Sequence, residues 1–118
     1  MNISWSSEEL ATLAKTDELK LQLGKSVIIW MVPVDGQLFV RSVNGRTSQW
    51  FRNARAQVKG HISVGKLSKE VQLVEAGEGL HDAIDAAFRA KYGRYARPIV
   101  DSIVSSKAQS ATLRLIPQ

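Results

Sequence analysis

Cysteine is absent from this chain of 118 residues, which excludes disulfides, thiolate nucleophiles and cysteine-ligated metals. Histidine is scarce. His61 and His81 lie far apart in sequence, and two imidazoles with no thiolate to join them give no zinc site, so no metal is expected. No apolar run is long. The longest, Val27 to Val34, falls far short of the roughly 20 residues that a membrane-crossing helix needs. The opening Met-Asn-Ile-Ser-Trp has neither the basic region nor the apolar stretch of a secretory leader, so a cytoplasmic location with no membrane is expected. Internal repeats and low-complexity tracts are missing as well. Asp82, Asp85 and Asp101 suggest no paired-carboxylate centre. No acid, base or nucleophile stands out, so catalytic residues are unknown and enzymatic activity stays an open question.

Acidic residues are the minority, 11 against 16 Lys and Arg, for a net charge of +5 and a pI of about 9.8. That balance favours anionic partners such as nucleotides, phosphates or nucleic acid. Hydrophobic residues make up 44% and charged residues 23%, enough apolar surface to bury a core. The length suits a single domain, 1–118.

Ser6 and Glu9 have the spacing of a capping box, and Trp5 and Leu10 that of a hydrophobic staple. A helix is expected from there to Lys15 or Thr16. Leu19, Leu21 and Leu23 alternate with polar residues, which predicts a first strand with one wet face. Val27 to Val34 reads as a central strand, and Asp35-Gly36 as the hairpin turn into a third strand from Gln37 to Val43. Strands are expected over His61 to Gly65, Glu70 to Glu75 and Ala111 to Ile116. Helices are expected from Thr47 or Ser48 to about Val58, from Leu80 to Tyr92, and after Pro98. The count is six strands and four helices, an α+β chain. Six antiparallel strands with one late return can close into a barrel without exposed edges.

The stretch Gly45 to Ala56 gathers Arg46, Arg52, Arg55, the Thr47-Ser48 pair and Trp50 at a helix start. Unpaired backbone N–H groups, hydroxyls and guanidinium groups together make a candidate anion site. Arg41 shares a strand face with Phe39 and Val43. It reads either as a phosphate ligand or as a strand arginine whose stem packs and whose head reaches water. Ser48 reads as an N-cap or a phosphate ligand, and Trp50 as core packing. Arg89, Lys91, Arg94 and Arg97, with Tyr92 and Tyr95, form the densest basic and aromatic cluster. It reads as a basic helix end matched to the macrodipole, with nucleic-acid binding the less favoured alternative.

The run Leu38-Phe39-Val40-Arg41-Ser42, then Gly45, Trp50-Phe51-Arg52-Asn53-Ala54 and Ile62-Ser63-Val64, resembles the split β-barrel flavin- and deazaflavin-binding proteins. These include pyridoxamine-phosphate-oxidase-like proteins and deazaflavin-dependent nitroreductases. Asp85 to Gly93 and the ending Ala111 to Pro117 narrow the resemblance to an uncharacterised bacterial family, domain of unknown function 2255, over nearly the whole chain. The resemblance implies a six-stranded antiparallel split β-barrel with short flanking helices, and a homodimer. It implies a phosphate-bearing cofactor, FMN or deazaflavin, held by Arg41, Ser42, Arg46, Thr47, Ser48 and Gln49 with Trp50 as an aromatic wall. Two other readings stand beside it: a binding or interaction module without cofactor, and a basic nucleic-acid-binding protein.

Overall fold

The computed structural model describes residues 4–118. Helix α1 (Ser7–Lys15) starts as its sequence dictates. Glu9 N–H donates to Ser6 Oγ at 3.1 Å and Ser6 N–H donates to Glu9 Oε1 at 2.8 Å. Trp5 does more than staple. Its indole N–H donates to the Leu115 carbonyl at 3.0 Å and its ring is buried, which ties the start of α1 to the last strand.

Seven strands follow, all antiparallel: β1 (Leu19–Leu23), β2 (Lys25–Ile29), β3 (Met31–Val34), β4 (Gln37–Arg41), β5 (Lys59–Val64), β6 (Leu67–Glu75) and β7 (Thr112–Pro117). Their order in the sheet is β2-β1-β5-β6-β7-β4-β3. The two edge strands, β2 and β3, are consecutive in the chain with only Trp30 between them. The sheet therefore curls until its edges meet at that residue. No ladder joins β2 to β3 among the described residues, so the curl is an open half-barrel.

This corrects the expected six strands and closed barrel. Val27 to Val34 is not one central strand but parts of two, broken at Trp30. The break has a physical cause. Met31 N–H donates to Tyr92 Oη at 3.1 Å, and the Met31 carbonyl accepts from Lys91 Nζ at 2.8 Å. Side chains from a distant helix satisfy the backbone there, so no strand pairing is needed. β5 and β6 also begin earlier than expected, at Lys59 and Leu67, around a tighter Gly65-Lys66 turn. The Asp35-Gly36 hairpin is as expected. Both residues have positive φ, 52° and 77°, as a type I′ turn requires.

The inside of the curl is filled from every strand, as by Leu21 facing Ile62 and Leu38 facing Leu115 across their ladders. Helix α2 (Gln49–Gln57) closes it with Phe51 and Ala54. A second core lies on the outer face. There α3 (His81–Tyr92) and α4 (Arg97–Ile103) pack on β3 and β4 through Phe88, Val100 and Ile103 against Val32 and Phe39. A short helix, α5 (Ser106–Gln109), leads into β7.

α2 ends on Val58 in the left-handed conformation, φ 63°, a residue 41% exposed. A β-branched residue pays for that backbone with about 1 kcal/mol or more, whereas glycine does not. Val58→Gly is expected to stabilise the fold by about 0.5–1 kcal/mol, read as a higher urea midpoint at unchanged slope. A lower midpoint would show that the exposed valine makes packing contacts worth more than the strain.

Candidate functional site

β4 delivers Arg41 to the outer face, on the side of Phe39 as its alternation requires. Arg41 is only 2% exposed, and four of the five N–H directions of its fork are occupied. Nε donates to Thr112 Oγ1 at 3.0 Å, Nη1 to Asp85 Oδ1 at 2.5 Å and to the Ile103 carbonyl at 3.1 Å, and Nη2 lies 3.3 Å from His81 Nδ1. The Phe88 ring lies beneath the guanidinium, 5.5 Å away. Gln109 Nε2 holds the second oxygen of Asp85 at 2.8 Å. Arg41 thus joins β4, β7, α3, α4 and α5 in one buried polar centre.

The loop after β4 brings together only some of the residues singled out in the sequence. Ser42 Oγ and Ser48 Oγ share a hydrogen bond of 2.7 Å, and Ser48 caps α2 by accepting the Phe51 N–H at 3.4 Å. Between them runs a 3₁₀ turn, Gly45–Thr47. Arg46 leaves this group. It donates to Glu75 at 2.6 Å and 3.3 Å and to the Ser110 carbonyl at 2.7 Å. The hydrogen bond from Arg46 holds the Glu75 carboxyl below its ordinary range. Thr47 is exposed. Gln49 is exposed and bonds along its own helix to Asn53 and Arg52. Trp50 is half-buried, edge-on to Phe51 at 6.1 Å.

Arg41 and Trp50 meet at a cleft of about 440 Å³ where the sheet edges approach each other. Val27, Ile29 and Trp30 line one side, Val43 and Trp50 another, and Ile99 and Ser102 of α4 a third. Trp30 is held flat against Tyr92, ring centres 3.9 Å apart and 5° between planes. Ile28, Val43 and Ile99 on the rim are 55%, 43% and 51% exposed, an apolar patch around a concave site. Glu18 is the one carboxylate in the lining.

Sequence reasoning missed Asp85, His81 and Thr112 as partners of Arg41, and Trp30 as part of the cleft. Periodicity placed Asp85 and His81 on α3, but no sequence signal joins them to Arg41, 44 and 40 residues away. It also missed a cross-strand set on the exposed sheet face. His61 Nδ1 lies 2.6 Å from Glu70 Oε1, and His61 Nε2 lies 2.5 Å from Ser68 Oγ. The order is that of an acid, base and nucleophile. His61 and Glu70 are open to solvent, however, so water is not excluded from the set. It serves as a clasp between β5 and β6. The basic segment near the end of α3 is engaged internally: Arg89 with Asp101 at 3.2 Å, Arg94 with Asp17, and Lys91 with two backbone carbonyls. Among the described residues, no group of three or more metal-ligating side chains exists, and no helix is long and apolar enough to cross a membrane.

Fold and cleft together define an α+β half-barrel protein with a concave, largely apolar site at the seam of its sheet. The chain belongs to the family described as an uncharacterized protein conserved in bacteria (DUF2255), whose model matches residues 6–115. No curated protein matches it. Among solved structures it is similar to HutZ, the heme storage protein from Vibrio cholerae, with a TM-score of 0.66 and 14% identity over 98% of this chain and 92% of that one. It is also similar to the conserved hypothetical protein Rv2991 from Mycobacterium tuberculosis, with a TM-score of 0.60 and 18% identity over 97% of this chain and 80% of that one. At these identities the likeness is one of fold.

The Arg41 centre yields a stability test. Arg41→Met leaves Asp85 without its cation in a partly buried site, and is expected to cost about 3–5 kcal/mol. Arg41→Met combined with Asp85→Leu removes both charges and is expected to recover at least half of that loss in urea unfolding. Equal losses in the single and double variants would show that the two side chains are not energetically coupled.

Proposed function

We propose that this chain is a homodimeric split-barrel protein that binds a planar, phosphate-bearing cofactor of the flavin or deazaflavin class in the seam cleft. The observation that carries the reading is the cleft itself. Two tryptophans line it, a polar loop adjoins it, and exposed Ile28, Val43 and Ile99 rim it. Flat aromatic ligands suit such walls. The rim suits a second copy of the chain, which would cover the patch and complete the site.

The residues fit the group in unequal ways. Arg41 spends its charge on Asp85 and acts by fixing the strand and the α4 wall. The phosphate falls to the loop: the Ser42 and Ser48 hydroxyls, Thr47, Gln49 and Arg46. The Arg46–Glu75 pair is solvent-exposed, and exposed pairs are worth only about 0–1 kcal/mol, so a phosphate competes for the guanidinium at small cost. Trp50 supports the ring. A bound flavin would supply the redox chemistry, with the chain contributing position and electrostatics. A module without catalysis uses the same cleft, and the lack of any lining base besides Glu18 accords with it.

The likeness to HutZ raises heme as a second ligand. The lining offers no His, Cys, Met or Tyr as an axial ligand for iron. The cleft thus favours a metal-free ring.

Purified protein is expected to quench FMN or deazaflavin fluorescence at micromolar concentration and to give little change in the hemin absorption band. Trp50→Ala should weaken quenching about tenfold, near 1.4 kcal/mol. Ile99→Asp should shift the sedimenting species from dimer to monomer. If neither flavin nor deazaflavin binds at micromolar concentration while the protein is folded, the cofactor reading is lost. A monomer in the unmodified chain removes the dimer.

A further inference from the structure

A second concavity, on the far side of the Trp30 corner, runs between α1 and α3 over β3. At about 840 Å³ it is the larger of the two, within the ~300–1,000 Å³ range of small-molecule sites. Leu10, Ala11 and Ala14 of α1 form one wall, Ala87 and Ala90 of α3 the other, and Val32 with Pro33 the floor. The trough is charged at one end only, with the uncharged Ser7 of α1 in the lining at the other. The ends of α1 and α3 converge there, as the bonds from Lys91 Nζ to the Leu13 carbonyl and from Arg94 to Asp17 require. The lining at that end is Lys15, Asp17, Lys91 and Arg94.

The charge at that end is positive. Three cations stand against one carboxylate, and two helix C-termini add roughly half a negative charge each, which leaves about one positive charge in excess. Asp17 is committed to Arg94 and to the Tyr95 hydroxyl, which donates to it at 2.8 Å. Lys91 Nζ gives two of its three protons to the Leu13 and Met31 carbonyls, each at 2.8 Å. Among the described residues, its third proton and the Lys15 ammonium have no hydrogen-bond partner, and the Tyr92 ring lies 5.1 Å from Lys91 Nζ.

We infer that this trough binds an amphipathic anion, an alkyl chain ending in a carboxylate, with the chain along the alanine walls and the head on Lys91 and Lys15. Length agrees with this. The α1 wall is a helix of 9 residues, which at about 1.5 Å per residue spans roughly 12 Å, the scale of a medium-chain fatty acid. The site is independent of the seam cleft and stands whether or not a flavin binds there.

The site carries its own pH signature. Burial pushes the Lys91 ammonium down to about 8, with Arg94 adding to the effect and Asp17 opposing it. The charged or titratable groups facing Lys91 are Lys15 from α1, Asp17 from the link to β1, Tyr92 of α3 itself with its ring 5.1 Å from Nζ, and Arg94 and Tyr95 beyond α3. β3 contributes none. Lys91 is charged at neutral pH and loses its proton as pH rises past about 8. A bound carboxylate favours the charged form, so binding near pH 8 takes up a proton and weakens as pH rises further.

Dodecanoate and uncharged dodecanol, both below their aggregation limits, are the probes for calorimetric titration of the full chain. Dodecanoate is expected to bind at least about tenfold more tightly than dodecanol at pH 7, with the preference reduced by pH 9.5 as Lys91 loses its charge. Titrations at pH 8 in buffers of differing ionisation enthalpy should show net proton uptake. Ala90→Trp, which fills the trough, should abolish binding of both probes and leave flavin quenching unchanged. Equal affinity for the two probes, no binding of dodecanoate, absence of proton uptake, or full binding by folded Ala90→Trp would each overturn the inference. Should Ala90→Trp not fold, the probe comparison and proton uptake of the unmodified chain decide it.

Discussion

The fold depends on how the chain turns the corner at Trp30. The two edges of the curled sheet are successive strands, so one residue must carry the backbone from one edge to the other. An edge left open at that place exposes unpaired backbone groups. α3 supplies the remedy. Tyr92 Oη accepts the Met31 N–H, its own proton goes to the Asp17 carbonyl at 2.7 Å, and Lys91 covers the Met31 carbonyl. Burial pushes the Tyr92 phenol up, so it remains a neutral donor and acceptor throughout the physiological range. The same corner separates the two concavities. Trp30 faces the seam cleft on one side, and Lys91 closes the trough on the other.

A second constraint is the buried guanidinium of Arg41. A buried charge is costly unless fully paired and hydrogen-bonded. The five elements around Arg41 meet that requirement only when α3, α4, α5 and β7 are all seated. The centre therefore contributes more to the uniqueness of the arrangement than to net stability. It also fixes the α4 wall from which Ile99 and Ser102 reach the seam cleft.

Local features were legible in the sequence. The capping box at Ser6, the Asp35-Gly36 hairpin, the Ser48 cap and the alternation that sets Arg41 beside Phe39 all depend on neighbours a few residues away. The break at Trp30 was not legible, because Val27 to Val34 is uniformly apolar and its interruption depends on Tyr92, 61 residues beyond Met31. The open barrel follows from that one break. The site was legible in part. Ser42, Ser48 and Trp50 lie near the cleft, whereas Trp30 and the α4 wall reach it only through the tertiary fold.

The arginines are engaged mostly in fixed internal pairs, for a chemical reason. Among the described residues, every arginine except Arg97 has a hydrogen-bonded or charged side-chain partner, while Lys15, Lys20, Lys25, Lys59, Lys66 and Lys107 have none. The planar, five-donor guanidinium suits fixed pairing with carboxylates and carbonyls, whereas the compact ammonium stays hydrated on a flexible stem. The chain thus spends its arginines on structure and keeps its net positive charge on lysines. An anion approaching it meets first the groups that give up water most readily. Those are Arg46, with its exposed and exchangeable partner, and Lys91, half-buried at the charged end of the trough.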